Sequence, residues 1–157
     1  MWLTGVPCLG PVMSPMSAAD SPEPSGIGGS EFGYTRSGGK QFHNGFDWRA
    51  DPGVDVVAPG DATVTARYDK KSGNYVQISL GKGATVSVLH LQEFGTGLEI
   101  GKSVKVKAGT VIGKTGRTGN ASRSSREAHA HVIARIRGRA CDPRDFFSQD
   151  GGGGSCQ

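Results

Sequence analysis

No stretch of this chain stays apolar for the roughly 20 residues that a membrane-crossing helix needs. Aromatic residues make up only 7% of the sequence, and no stacking motif appears among them. That argues against a nucleic-acid surface built on base stacking. Cysteine occurs three times, at Cys8, Cys141 and Cys156, without a CxxC pair or an even framework. One disulfide beside a free thiol fits these numbers, and so do three thiols, so the redox compartment stays open. No lysine or arginine precedes Arg36, and Pro7, Pro11 and Pro15 interrupt the moderately apolar start. A classical secretion signal is therefore not expected. Runs of three or more helical turns are also missing.

Glycine, by contrast, is abundant: 26 residues with no collagen-like period. Short strands joined by tight turns use glycine in this way, because it reaches positive φ at little cost. A two-residue period recurs to match. Val76, Ile78 and Leu80 share one face of the segment Asn74 to Leu80, and Val86, Val88 and His90 share a face of Thr85 to His90. From Ala128 to Arg137, His129, His131 and Ile133 lie on one side, with Ala130, Val132, Ala134 and Ile136 on the other. Turn signals such as Lys71-Ser72-Gly73-Asn74 and Gly81-Lys82-Gly83 separate these runs. The expected fold is all-β, an antiparallel β-sandwich or open barrel with a substrate groove. Composition divides the chain into a flexible arm over 1–30, one domain over 31–149 and a Gly-rich, disordered tail over 150–157.

Charge is unevenly spread. The net charge is +4, yet ten Lys or Arg and only two acids fall between Glu99 and Arg139, while Asp47, Asp51, Asp55 and Asp61 crowd an earlier stretch. A basic surface of this kind favours a polyanionic partner, either nucleic acid or the acidic polymers of a bacterial envelope.

Only four histidines occur, at 43, 90, 129 and 131. His129 and His131 stand two apart in a strand pattern, so both rings project from one face. His43 precedes Asp47 by four residues across Asn44-Gly45-Phe46, where glycine permits a turn that aims both side chains at one point. Two imidazoles and one carboxylate suit zinc and leave a fourth position for water, the mark of a catalytic site. The remaining two histidines would then move a proton and stabilise an oxyanion.

The chain resembles the lysostaphin-type (LytM-type) peptidoglycan metalloendopeptidases over roughly residues 31–147. The matching pieces are Phe32-Gly33-Tyr34-Thr35-Arg36, His43-Asn44-Gly45-Phe46-Asp47, Val57 to Val64, Gly73-Asn74-Tyr75-Val76, Leu89-His90-Leu91, Val104 to Gly119, His129-Ala130-His131 and Asp142-Pro143. The resemblance implies one zinc per chain on His43, Asp47 and His131. It also implies His90 and His129 as the catalytic pair, and Asn74 near the substrate groove. Val88, Ala130 and Val132 depart from residues usual in the family, and Asn120 to Glu127 replaces a shorter loop, which bears on substrate range.

The expected activity is hydrolysis of the peptide cross-links of bacterial peptidoglycan, whose peptide stems are the partner. Members of this family cut either glycine bridges or direct D-alanyl–diaminopimelate cross-links. The second substrate carries extra carboxylates, and Arg123, Arg126 and Arg135 stand beside the His129/His131 pair, where arginine can hold a carboxylate bidentately. D,D-endopeptidase activity is therefore expected. The substrate lies outside the cytoplasm, in the periplasm or cell wall, so a delivered antibacterial effector or a phage lysin is expected. A cognate immunity or inhibitor protein would accompany an effector. A monomer without nucleic acid or membrane span completes the reading. The rival is a non-catalytic LytM-like domain that binds peptidoglycan or activates an amidase.

Overall fold

The computed structural model describes Pro15, residues 31–123 and residues 129–147. Eleven strands lie within them: β1 Gly33–Arg36, β2 Gln41–His43, β3 Phe46–Arg49, β4 Asp55–Val57, β5 Ala62–Asp69, β6 Gly73–Gly81, β7 Ala84–Phe94, β8 Ser103–Val106, β9 Val111–Thr115, β10 His129–Ile136 and β11 Arg139–Cys141. One four-residue helix, α1, spans Pro143–Phe146.

The main sheet runs β11-β10-β7-β6-β5-β8, and every pairing between its strands is antiparallel. β3 pairs with β10, and β9 pairs with both β4 and the far half of β7. β1 and β2 form a separate hairpin. The expected antiparallel all-β architecture is what the chain adopts, and it does not close into a barrel.

Alternation drives the packing. Along β10, Ala130, Val132, Ala134 and Ile136 are buried while His129, His131, Ile133 and Arg135 face the other way. Phe46 and Trp48 of β3, Val76 and Ile78 of β6, and Val86 and Val88 of β7 join them in one core with Val56, Val64, Leu91, Ile112 and Phe146. Burying each such side chain contributes about 1.5–3 kcal/mol relative to leaving it in water.

α1 closes one end of the core. Its preceding residue, Asp142, accepts the Arg144 N–H at 3.0 Å as an N-cap, and Pro143 occupies the first helical position. Arg144 also lies 5.2 Å over the Phe46 ring and reaches Glu31 at 3.3 Å, ahead of β1. Cys141 is disulfide-bonded. That selects the disulfide from the alternatives left by the sequence; Cys8 and Cys156 lie outside the described residues.

Candidate metal centre and its cleft

His43 ends β2, and Asp47 is the second residue of β3. Between them, Gly45 passes so close to β10 that a Cβ there would stand 2.4 Å from the Val132 carbonyl oxygen and 3.0 Å from His131 Nε2. Only glycine allows that approach, and it brings the β2–β3 turn against the strand carrying His131. Asp47 and His131 are direct partners in the β3–β10 register, so their side chains rise side by side from one face.

The three side chains converge. Asp47 Oδ1 is 2.6 Å from His131 Nδ1, His131 Nδ1 is 3.2 Å from His43 Nε2, and His43 Nε2 is 3.6 Å from Asp47 Oδ1. Ligand atoms at about 2.0–2.2 Å from a tetrahedral ion lie about 3.3 Å from one another. Two sides of the triangle match that spacing, and the third is a hydrogen bond. The Glu31 carbonyl accepts a hydrogen bond from His43 Nδ1 at 2.9 Å, which places the proton there and turns the Nε2 lone pair toward the other two donors. A backbone carbonyl on the far nitrogen is the usual orienting partner of a metal-binding imidazole. Chemistry and geometry therefore both fit a zinc ion.

His43 and Asp47 are buried, and the His129 and His131 side chains retain 13% exposure, which opens the cluster on one side only. Burial works against ionisation of Asp47. The hydrogen bond from His131 and the charges of His131, His43 and His129 outweigh it and hold the carboxyl below its ordinary value.

His90 reaches the cluster by an irregularity. Strict alternation would send it into the core with Val86 and Val88, the face expected from the sequence. Instead β6 advances from Asn74 to Val76 while β7 advances from Leu91 to Val88, one residue more, so β7 carries a β-bulge. Within it His90 adopts φ 66°, rare for a non-glycine residue. Leu89 and His90 both line the cleft, and Leu91 returns to the core. The His90 ring centroid is 5.6 Å from His129 and 6.3 Å from His131. Burial, helped by the charge on His131, lowers its pKa to about 4.

A second loop fixes that bulge. The Thr118 carbonyl accepts a hydrogen bond from His90 Nδ1 at 2.9 Å. The Thr118 hydroxyl accepts the Asn74 N–H at 3.1 Å and donates to the Leu91 carbonyl at 2.7 Å. Gly73 and Gly119 press backbone to backbone, each leaving no room for a Cβ. Thr118, Gly119 and Glu31 were not among the sequence candidates, since most of what they give to the site is backbone. The Val104 to Gly119 match was the one available hint.

The cleft, about 470 Å³, is lined by His43, Asp47, His90, His129 and His131, with Phe42, Leu89 and Ile133 as apolar wall and Gln41, Asn44, Asn120, Ser72 and Lys71 as polar rim. Of the candidate substrate residues with described side chains, neither Asn74 nor Arg135 is part of this lining. Asn74 spends its amide on the Leu91 carbonyl at 3.2 Å. Arg135 shares the His131 face of β10 but is not among the lining residues. Arg123 ends a 3-10 turn over Gly119–Arg123, and Arg126 lies outside the described residues. Another cleft, about 510 Å³, sits at the opposite end of β5 and β6 beside Lys105 and Lys107 and holds none of the histidines.

The sequence pattern of peptidase family M23 matches residues 41–143, well over half of the chain, from β2 to the start of α1. The chain belongs to this family. Among solved structures, a zinc-containing peptidase from Vibrio cholerae superposes with a TM-score of 0.64 at 24% identity, over 85% of this chain and 39% of that one. The catalytic domain of lysostaphin from Staphylococcus simulans gives 0.60 at 25% identity, over 78% and 90%. The SpoIIQ–SpoIIIAH pore-forming complex gives 0.68 at 23% identity, over 90% and 93%. This M23 chain thus spans well under half of the Vibrio protein and nearly all of the lysostaphin domain.

Proposed function

We propose that this M23 protein is a zinc endopeptidase that hydrolyses peptide cross-links of bacterial peptidoglycan. The observation that carries the reading is the convergence of His43, Asp47 and His131, with His90 and His129 beside them and an open cleft in front. Zinc held by those three residues would supply Lewis-acid polarisation of the scissile carbonyl and make water a stronger nucleophile near neutral pH. His90 keeps its proton on Nδ1 through Thr118 and offers Nε2 to the cleft. His129, whose Nε2 is 4.0 Å from Asp47 Oδ1, flanks the other side. This pair moves the proton between water and leaving amine and holds the developing oxyanion.

The preferred bond is the D-alanyl–diaminopimelate cross-link, and the setting is the wall or periplasm of a target bacterium, reached as an antibacterial effector or lysin. A cognate inhibitor would shield a producing cell. The alternative, a non-catalytic wall-binding or amidase-activating member, is disfavoured by the intact donor set and flanking histidines.

The deciding experiment combines zinc analysis with digestion of purified sacculi and of isolated cross-linked dimers. About one zinc per chain and release of monomers are expected. His90→Ala and His129→Ala should keep the zinc and lose activity by about 10²–10⁴-fold. Zinc-loaded protein inert on all wall substrates overturns the enzymatic reading, and cleavage of pentaglycine alone overturns the bond preference. Toxicity confined to periplasmic expression supports a wall target; equal toxicity in the cytoplasm counts against one.

A further inference from the structure

Lys71 is the only lysine or arginine among the described residues that line the histidine cleft. It sits in the β5–β6 turn, and that turn is held from three directions. Asp69 Oδ1 accepts the Ser72 N–H at 2.6 Å, the Lys71 carbonyl accepts the Asn120 N–H at 2.9 Å, and the Ser72 carbonyl accepts the His90 N–H at 2.9 Å. The residue next to Lys71 is therefore hydrogen-bonded to the backbone of His90 itself. On the other side of the turn, Gly73 and Gly119 are in backbone contact. Lys71 is exposed, with the Asp69 carboxylate as a solvated counter-charge in the same turn, and the backbone that carries it is registered to the reacting centre.

The rest of the lining is electrically neutral or already engaged. Asp47 faces His131 and His43, and the polar rim is otherwise amide and hydroxyl: Gln41, Asn44, Asn120 and Ser72. Amides suit a peptide backbone, the wall of Phe42, Leu89 and Ile133 suits aliphatic side chains, and one cation on a held backbone suits one anion. Arg135, the arginine on the His131 face of β10, is not part of this lining.

We propose that Lys71 is a specificity-determining residue that recognises a free carboxylate next to the scissile amide, so that the cleft takes an acidic stem peptide in preference to its carboxamide. This rests on the endopeptidase reading above and assigns the charge recognition to the β5–β6 turn. The zinc-loaded protein should be assayed for kcat/KM on two soluble cross-linked dimers, one with the free diaminopimelate carboxylate and one amidated there. Wild type should prefer the free acid. Lys71→Met should erase the preference by lowering the free-acid value about tenfold, as expected for a hydrogen bond to a charged group at a solvent-open site, while the amidated dimer stays within about twofold. Lys71→Arg should retain the preference. An unchanged preference in Lys71→Met, or an equal loss on both dimers, overturns the proposal. If wild type cleaves neither dimer, the endopeptidase reading fails separately, and calorimetric binding of the two uncleaved stem peptides decides. Tighter binding of the acid by wild type but not by Lys71→Met sustains the contact; equal binding by both proteins overturns it.

Discussion

Gly45 offers a way to test the metal centre without touching a donor atom. An alanine Cβ at this position would lie 2.4 Å from the Val132 carbonyl oxygen and 3.1 Å from Ile133 Cγ1. Both belong to β10, and the carbonyl is backbone in a strand paired on two sides, so it cannot swing away. The β2–β3 turn must retreat instead, taking His43 and Asp47 away from His131. Overpacking of this kind costs about 1–3 kcal/mol, or roughly 2–12 °C in Tm for a chain of this size. Displaced donors should lower zinc affinity by about 10–100-fold, the scale seen when a supporting contact of a metal site is lost. Gly60→Ala is the matched control. A Cβ there meets only the flexible end of Leu80 at 3.3 Å, and Gly60 lies outside the left-handed region. It should stay within about 0.5 kcal/mol of wild type. Melting curves and competition with a chromophoric zinc chelator measure both quantities. Gly45→Ala with wild-type melting and wild-type zinc affinity would refute the argument that this approach holds the donors together.

Three further outcomes are expected. Asp47→Ala should lose most of its bound zinc by elemental analysis, because the remaining imidazoles leave the ion without its only carboxylate; full occupancy would remove Asp47 from the donor set. Thr118→Val leaves the Asn74 N–H without its acceptor and should destabilise by about 1–3 kcal/mol. It should also lower kcat with zinc retained, whereas Thr118→Ser restores both; wild-type turnover in Thr118→Val would show that His90 does not depend on this loop. In chelator-treated protein His90 stays neutral down to about pH 4, while the unfolded chain binds that proton near 6.5. Stability should therefore fall as pH drops through that window, and fall less in His90→Asn. Parallel melting profiles for the two proteins would contradict it.

The strands β6, β7 and β10 were legible because their apolar residues alternate over about six positions or more. That His43 and Asp47 aim at one point, and that His129 and His131 share a face, was legible too, since a glycine turn and period two fix directions locally; the choice of His131 over His129 came from the family resemblance alone. The orientation of His90 was not. A bulge is a mismatch between two strands, and β7 alone contains no sign that β6 is one residue shorter at that point. The supports from Glu31 and Thr118 escaped for a different reason. Both act on the imidazoles through backbone carbonyls, which every residue possesses. Lys71 was passed over because a single lysine in a turn carries no pattern that sets it apart from other surface charge.

The ion pair between Arg144 and Glu31 has a consequence for how such a module can be shared among longer proteins. It joins α1 to the residue whose carbonyl orients His43, so the beginning and the end of the described fold meet beside the histidine cluster. Neighbouring chain ends let a folded unit be inserted into another protein with little disturbance. Here the same closeness places the splice points next to the chemistry. A fragment trimmed to begin at Gln41 would therefore cut away both the carbonyl that sets the His43 tautomer and the ion pair that ties that residue to α1.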